Sequence, residues 1–310
     1  MSQPGTGKYE RLLERCRGIA PIATAVAYPC DESSLSGAVE AAKLGLIIPI
    51  LVGPAATIAE VAKAQGIDIS GAQIVDASNS RAAAAKAVEL VRLGQAELLM
   101  KGSLHSDEVL AAVIAKETGL RTGRRLSHAF VMDVPTYHKV LIVTDAAINI
   151  APTLEDKVDI CQNAIDLART FGVDRPKVAI LAAVETVTSR MPATLDAAAL
   201  CKMADRGQIT GGQLDGPLAF DNAISLDAAK TKGITSDVAG DPDILLAPDL
   251  EAGNIMAKML SFLASADSAG LVLGARVPVI LTSRADSVRS RIASCAVAVL
   301  AAHARRQAPR

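Results

Sequence analysis

The chain is short of aromatic residues, and this shortage limits the kind of core it can build. It has no tryptophan, three tyrosines and four phenylalanines among 310 residues, so aromatics make up 2% of the sequence. Half of the residues are still hydrophobic, which leaves alanine, valine, leucine and isoleucine to form the core. Such side chains suit close packing of helices on sheets in an α/β protein. The length favours two domains over one.

An excess of charge of either sign is also missing. The 32 basic and 33 acidic residues leave a net charge of −1 without a basic tract, which argues against nucleic acid or an anionic membrane as a partner. The longest apolar runs, around residues 44–52 and 292–302, are shorter than the roughly eighteen residues that a membrane span requires. Residues 1–17 carry charges and no apolar signal region, so the sequence predicts a cytoplasmic protein.

Sequence patterns that are typical of metal and nucleotide sites are absent as well. The five cysteines show no CxxC spacing and the four histidines show no HxxxH or HExxH pattern, which predicts reduced thiols and no metal site. A GxGxxG fingerprint after a strand is missing, and the string GTGK at 5–8 follows no strand. These absences disfavour a dinucleotide-dependent dehydrogenase and a P-loop protein.

Short apolar runs alternate with alanine-rich helical patterns such as 80–94 and 154–172. This alternation predicts parallel sheets with crossover helices. The segment between 129–132 and 140–144 is too short for a crossover, so these two strands are expected to be antiparallel. The predicted strands are 22–27, 47–52, 73–75, 97–100, 129–132, 140–144, 178–182, 209–213, 243–246, 270–273 and 277–281.

A polar turn near the C-terminus separates an apolar strand from a long helix. Ser283, Arg284 and Asp286 follow the predicted strand, and Ser287 is placed to cap a helix over 288–304. The N–H groups of the first helical turn and the guanidinium of Arg284 would attract a phosphate together. The pattern fits an anion site, and it fits equally an ordinary strand–cap–helix connection with a solvated arginine.

Polar residues at other strand ends are further candidates, because ligands of open α/β sheets bind at the carboxyl ends of strands. Lys101, Gly102 and Ser103 follow one strand and can hold an anion by charge and by close backbone approach. The alternative is an exposed lysine before a helix. Asp145 follows another strand, as a site residue or as a turn cap.

Several segments of the sequence together resemble one enzyme family. The string LTSRADS after GARVP resembles the closing motif of the phosphate acyltransferases, the family of phosphate acetyltransferase and phosphate butyryltransferase. The resemblance is closer to the butyryltransferase branch than to the longer acetyltransferase branch. Similar segments follow in the order of the family at 98–132, 141–164, 177–185, 191–225 and 243–260, within roughly residues 95–295.

This resemblance implies two parallel-sheet α/β/α domains with a cleft between them, an architecture like that of isopropylmalate and isocitrate dehydrogenases. Residues 1–120 and 268–310 would form a first α/β domain that carries the Ser-Arg anion site. Residues 121–267 would form a second α/β domain with a role in dimerisation. The family also implies a homodimer.

The reaction implied by the resemblance moves an acetyl, propionyl or butyryl group between coenzyme A and phosphate, with no bound cofactor and no metal. Coenzyme A or acyl-CoA and phosphate or acyl phosphate are the substrates, and no nucleic acid or membrane takes part. The thiol attacks the acyl phosphate directly, Arg284 holds the phosphoryl oxygens, and Ser283 donates to the oxyanion. The residues expected to bind phosphate or coenzyme A are Lys101, Gly102, Ser103, Ser127, His128, Arg284 and Ser287.

The acceptor of the thiol proton is left open by the sequence. The acetyltransferase branch has an aspartate seven residues after the serine, and this chain has Ser290 there. Asp286 is either the base or a cap, and Asp145 is a second candidate. Loss of a base would slow such an enzyme by about 10²–10⁴-fold. Because of Ser290, a weakly active acyl-CoA-binding relative stays open as an alternative. A metal- and NAD-dependent dehydrogenase of similar fold is the other alternative, which the missing GxGxxG fingerprint disfavours.

Overall fold

The computed structural model describes residues 7–283 and 286–307 of the chain. Strands and helices alternate along it, which confirms the α/β fold class. The first elements are α1 (Lys8–Cys16), β1 (Ile22–Ala27), α2 (Glu32–Lys43), β2 (Ile47–Gly53), α3 (Ala55–Gln65), β3 (Gln73–Asp76), α4 (Ser80–Arg92), β4 (Leu98–Lys101) and α5 (Ser106–Ile114). Next come β5 (Ser127–Asp133), β6 (Leu141–Thr144), α6 (Leu154–Thr170), β7 (Lys177–Leu181), α7 (Pro192–Asp205), β8 (Gln213–Leu218), α8 (Phe220–Ile224), α9 (Leu226–Thr231), β9 (Ile244–Leu246) and α10 (Leu250–Leu263). The last are β10 (Asp267–Leu273), β11 (Val279–Ile280) and α11 (Val288–Gln307).

The described residues divide into two compact units. The first unit comprises 9–124 with 269–307, and the second unit comprises 7–8 with 125–268. Residues 121–124 lie in the first unit, where Arg121 forms a bridge with Ala275. Lys8 lies in the second unit, because its ammonium group is 2.9 Å from the carboxylate of Asp133. The observed boundaries are therefore shifted by a few residues from those that the family implies.

The sheet of the first unit has the strand order β3-β2-β1-β4-β11-β10. All neighbours are parallel except the pair β10 and β11. The chain runs outward from β1 to β3, then crosses back to place β4 on the other side of β1. Strand order therefore reverses between β1 and β4, and ligands of open α/β sheets bind in the crevice at such a switch point.

Helix α11 supplies much of the core of this unit, since residues 291–302 are buried along its length. Its alanine and valine side chains let it pack closely against α2. The core is aliphatic, as the shortage of aromatic residues predicts. None of the helices in the described part of the chain is long and apolar enough to cross a membrane.

Most predicted strands agree with the observed ones to within three residues at each end, and two deserve a physical explanation. The strand expected over 277–281 is reduced to β11, because Pro278 has no N–H group to donate to a neighbouring strand. The strand expected over 209–213 is wrong: β8 starts only at Gln213. Gly211 before it has a φ of 79° and turns the backbone into the left-handed region, which ends an extended run.

The second unit has the strand order β5-β6-β9-β7-β8. Strands β5 and β6 pair antiparallel with Ala129 opposite Thr144, which confirms the predicted hairpin. The remaining neighbours are parallel. A cluster of aliphatic side chains around Met132, Val143 and Leu245 forms the core of this unit.

Candidate functional site

Three neighbouring strands of the first unit end at one edge of its sheet. Strands β1, β4 and β11 are adjacent and parallel, so their carboxyl ends lie together at the switch point. Lys101 closes β4 and Ser283 follows β11, as the sequence predicts, and the structure brings these two segments together. The sequence analysis missed the third segment, residues 28–34 after β1.

The loop after β1 is held in an unfavourable backbone conformation. Tyr28 has a φ of 56°, in the left-handed region that a bulky residue seldom occupies. Its carbonyl oxygen accepts hydrogen bonds from the backbone N–H groups of Cys30 and Ser103, at 2.9 and 2.8 Å, and from the Ser103 hydroxyl at 2.9 Å. Strained backbone of this kind persists only where its surroundings fix it, and it is concentrated at functional sites.

Gly102 permits the close approach of two backbone segments, where the sequence predicts the approach of an anion. Its N–H group donates to the carbonyl of Ala27 at 2.8 Å. A Cβ atom added to Gly102 would lie 2.5 Å from that oxygen and would also collide with the carbonyl of Tyr28. The backbone that comes close to Gly102 is therefore that of Ala27 and Tyr28, at the end of β1. The binding of an anion by Gly102 and Ser103 stays a prediction.

Lys101 is buried, with 2% of its surface exposed, so the alternative of an exposed lysine is wrong. Its ammonium group donates to the carbonyl of Thr282 at 3.2 Å and to that of Gly102 at 3.4 Å. A buried ammonium group needs such acceptors, because burial without them is costly. The side chain therefore joins the end of β4 to the end of β11, and its charge lies next to Ser283.

A pair of reciprocal hydrogen bonds shapes the segment after β11. The N–H group of Ser283 donates to the carboxylate of Asp286 at 2.7 Å, and the N–H group of Asp286 donates to the carbonyl of Ser283 at 3.1 Å. These bonds join the residues on either side of Arg284 and Ala285. The predicted phosphate clamp, Arg284, lies outside the described residues.

Ser287 caps helix α11, as predicted. Its hydroxyl accepts the N–H group of Ser290 at 3.1 Å, and its carbonyl accepts the N–H group of Arg291. The interpretation of Asp286 as this cap is wrong, because its carboxylate turns back to Ser283 instead. Ser290, which stands where the acetyltransferase branch has an aspartate, also shares a hydrogen bond between its hydroxyl and that of Ser287.

Arg291 is a residue of this site that the sequence analysis missed. It is completely buried, and its guanidinium donates to the Thr282 hydroxyl at 2.7 Å, to the Ser283 carbonyl at 3.1 Å and to the Ser33 hydroxyl at 3.2 Å. A signal was present in the sequence, since a single arginine begins the long apolar run of this helix.

Asp31 places a negative charge close to Arg291. It caps α2, accepting the N–H group of Ser34 at 2.8 Å and the Ser34 hydroxyl at 2.6 Å. Burial raises the pKa of the Asp31 carboxyl, but the hydrogen bonds from Ser34 and the charge of Arg291 outweigh burial and lower that pKa. The carboxylate thus partly offsets the buried guanidinium.

Asp145, the second candidate base, lies in the second unit with its carboxylate fully engaged. One oxygen accepts the N–H groups of Ala147 and Ile148 at 2.9 and 3.1 Å, and the other accepts the backbone and side-chain N–H groups of Asn149. The side chain is 2% exposed. This geometry fits the turn cap that the sequence left open as the structural alternative, and a role of Asp145 as the base stays a prediction.

Ser127 and His128, predicted to bind phosphate or coenzyme A, are buried at the start of β5. The hydroxyl of Ser127 accepts a hydrogen bond from the side chain of Asn163 at 3.0 Å. The ring of His128 packs edge-on against Phe130, with 4.4 Å between the ring centres. These contacts are those of buried residues, and the binding of phosphate or coenzyme A by Ser127 and His128 stays a prediction.

The five cysteines are free thiols and none is activated as a nucleophile. Burial raises the pKa of Cys16 to about 11 and that of Cys295 to about 12. Burial and the charge of Asp31 raise the pKa of Cys30, which lies nearest the site, to about 11. Thiols with such pKa values stay protonated near neutral pH. Within residues 7–283 and 286–307, no group of three or more His, Cys, Asp or Glu side chains could hold a metal ion.

Comparison with known proteins identifies the family to which this chain is similar. Residues 79–299 match the family described as phosphate acetyl/butaryl transferase. A phosphate acetyltransferase from Rhizobium meliloti is 64% identical over 97% of this chain and 95% of its own length. A phosphate butyryltransferase from Clostridium beijerinckii is 44% identical over 95% of this chain and 97% of its own length. These identities go against the expected closeness to the butyryltransferase branch.

A solved structure supports the same relationship. The crystal structure of a branched-chain phosphotransacylase from Enterococcus faecalis V583 superposes with a TM-score of 0.80 at 30% identity. The superposition covers 91% of this chain and 99% of the phosphotransacylase chain. The resemblance stated from the sequence motifs is therefore confirmed, and so is the fold class.

Proposed function

This chain belongs to the family of phosphate acetyltransferases and phosphate butyryltransferases, and we propose that it transfers a short acyl group, acetyl, propionyl or butyryl, at the switch point of the first unit. It is an acyltransferase that moves an acyl group reversibly between coenzyme A and inorganic phosphate. The observation that carries the proposed location is the meeting of Lys101, Ser283 and the strained loop at Tyr28 where strand order reverses.

The chemistry requires a cation for the phosphoryl oxygens, a donor for the oxyanion and an acceptor for the thiol proton. Arg284 supplies the planar fork that matches two phosphoryl oxygens. Ser283 donates its hydroxyl to the developing oxyanion, since its backbone N–H group is already bonded to Asp286. Asp286 accepts the thiol proton, directly or through water.

Direct attack by the thiol of coenzyme A is supported by the state of the cysteines. An acyl-enzyme on cysteine would need a reactive thiolate, and the pKa values of the thiols in this chain are raised, chiefly by burial. Coenzyme A brings its own thiol, with a pKa near the ordinary value of about 8.5. The reaction then proceeds in one ternary complex, without a covalent intermediate on the protein. The free thiols also agree with the predicted cytoplasmic location.

The test is an assay of acyl transfer with purified protein and no added metal. We expect release of coenzyme A from acetyl-, propionyl- and butyryl-CoA to depend on phosphate, with intersecting lines in double-reciprocal plots. Parallel lines, or acyl label trapped on Cys30 or another cysteine, would contradict direct transfer. A parallel assay contains NAD⁺, a divalent metal ion and an isocitrate-like substrate, and reduction of NAD⁺ there, with no acyl transfer, would favour the dehydrogenase alternative.

We also propose that the chain forms a homodimer through helix α10. This helix has an apolar stripe that is open to solvent, since Ile255, Met259, Phe262 and Leu263 are 59%, 53%, 75% and 79% exposed. Exposed apolar patches of this kind mark protein interfaces in soluble proteins. The net charge of −1 adds little overall repulsion between two copies.

Phe262→Asp tests this assembly. The buried carboxylate that it would introduce at the interface is costly, so we expect the variant to sediment as a monomer where the wild type sediments as a dimer. Leu93→Asp is the matched control, because Leu93 is 63% exposed at the C-cap of α4 and lies outside α10. A wild type that is monomeric, or a Phe262→Asp variant that stays dimeric, would contradict the proposed interface.

A further inference from the structure

We infer that Arg291 is a positioning residue for acyl transfer, which holds the Ser283 loop (Thr282, Ser283 and Asp286) in its working geometry without touching a substrate. The inference rests on the proposed function, because that function gives the loop its task. It assigns a role in the reaction to a buried side chain on helix α11.

The backbone of Ser283 is held between two groups of opposite charge. The carboxylate of Asp286 takes its N–H group at 2.7 Å, and the guanidinium of Arg291 donates to its carbonyl at 3.1 Å. The same guanidinium donates to the hydroxyl of Thr282 at 2.7 Å. Hydrogen bonds to charged groups are stronger than neutral ones, so these contacts fix the direction in which the Ser283 side chain leaves the backbone.

Arg291 also connects this loop to the loop after β1. Its second terminal nitrogen donates to the hydroxyl of Ser33 at 3.2 Å, and that hydroxyl donates to the carboxylate of Asp31 at 3.3 Å. Gly37 on α2 leaves room for the arginine stem, since an added Cβ would lie 2.7 Å from its Cδ atom. One side chain thus holds together two of the three segments that meet at the switch point.

Packing alone does not account for an arginine at this position. The side chain is completely buried, and its Nε atom has no hydrogen-bond partner among the described residues. An apolar side chain of similar length would fill the same space without the cost of burying a charge. What only arginine provides is a rigid fork that reaches three acceptors on two loops at once.

Arg291→Met and Arg291→Lys test the inference, with Ser294→Ala as the matched control. Ser294 is also completely buried on α11, one turn further along, but its hydroxyl bonds the N–H group of Gly270 and the carbonyl of Ser290. Each variant is compared with the wild type by kcat and KM, by its midpoint of thermal unfolding, and by amide hydrogen exchange of residues 281–290.

We expect Arg291→Met to lower kcat on the order of 10²-fold, as a displacement of about 1 Å at reacting groups can do, and to speed exchange in residues 281–290. Arg291→Lys should recover part of the loss, because it keeps the charge but not the fork. Ser294→Ala should keep kcat and the exchange of residues 281–290 close to wild type, even if its unfolding midpoint is as low as that of Arg291→Met. Equal losses of kcat in Arg291→Met and Ser294→Ala, or unchanged exchange in Arg291→Met, would overturn the inference.

Thr282→Val serves if the methionine variant does not fold. It keeps the volume of the side chain and removes only the acceptor for Arg291, and we expect kcat to fall about ten-fold, the equivalent of one lost hydrogen bond to a charged group. No change in kcat and in exchange would overturn the inference. A wild type without acyl transfer would instead refute the proposed function, and the exchange data alone would then decide whether Arg291 holds the loop.

Discussion

Arg284→Ala should lower kcat/KM by about 10²–10³-fold, the largest loss that we expect from a single substitution in this chain. The guanidinium is the proposed partner of the phosphate that leaves when the thiol attacks, and no other charged side chain lies between Ser283 and Asp286 in the sequence. Arg284→Lys should recover the activity only in part, because an ammonium group cannot bind two oxygens in one plane. Steady-state kinetics with acetyl phosphate and coenzyme A measure both variants.

Arg289→Ala is the matched control for this prediction. Arg289 lies in the first turn of α11 and carries the same charge, but it stacks on the ring of Tyr9 at 3.7 Å and pairs with Glu10 at 3.6 Å. Its loss should change kcat/KM by no more than about three-fold, as is typical of an exposed ion pair. Equal effects of the two alanine variants would show that overall charge, and not a phosphate contact at Arg284, governs the rate.

The order of strands and helices could be predicted from the sequence because it depends on local patterns. Apolar runs and alanine-rich helical repeats mark the elements, and the hairpin of β5 and β6 follows from the length of its connection alone. The misplaced strand at 209–213 shows the limit of that approach. The conformation of Gly211 decides where β8 begins, and a glycine is compatible with either backbone region.

In the candidate site, too, the residues marked by local patterns could be predicted and those placed by long-range packing could not. Lys101 and Ser283 could be found because each follows a predicted strand, and Ser287 because it precedes a predicted helix. Arg291 could not be assigned to them, since its bond to Ser33 joins residues that are 258 positions apart in the chain. Contacts over such distances follow from the packing of α11 on α2, which periodicity does not specify.

The buried state of Lys101 and Asp145 was equally out of reach for sequence reasoning. A charged side chain at a strand end is ambiguous until its acceptors are known, because binding a ligand and binding a backbone group require the same residue types. Here the carbonyl of Thr282 receives the ammonium group of Lys101, and four N–H groups occupy the carboxylate of Asp145. Asp286 is therefore left as the better candidate for the proton acceptor.

Asp286→Asn separates a base from a residue that only shapes the loop. The amide oxygen of asparagine can still accept the N–H group of Ser283, so the variant keeps the loop while it loses the basic carboxylate. We expect kcat/KM at neutral pH to fall on the order of 10²-fold. Asp286→Ala loses the hydrogen bond as well and should be slower still.

The pH dependence of kcat/KM in Asp286→Asn distinguishes the two roles more clearly than the rate at a single pH. At pH 7 a thiol with a pKa of about 8.5 is roughly 3% ionised, and this fraction rises nearly ten-fold per pH unit until the pKa is approached. Without a base, the rate should follow that fraction, so the variant should recover toward the wild type between about pH 7 and 8.5. A wild-type rate and profile in Asp286→Asn, together with a slow Asp286→Ala, would instead limit Asp286 to holding Ser283, and the thiol proton would then pass to solvent.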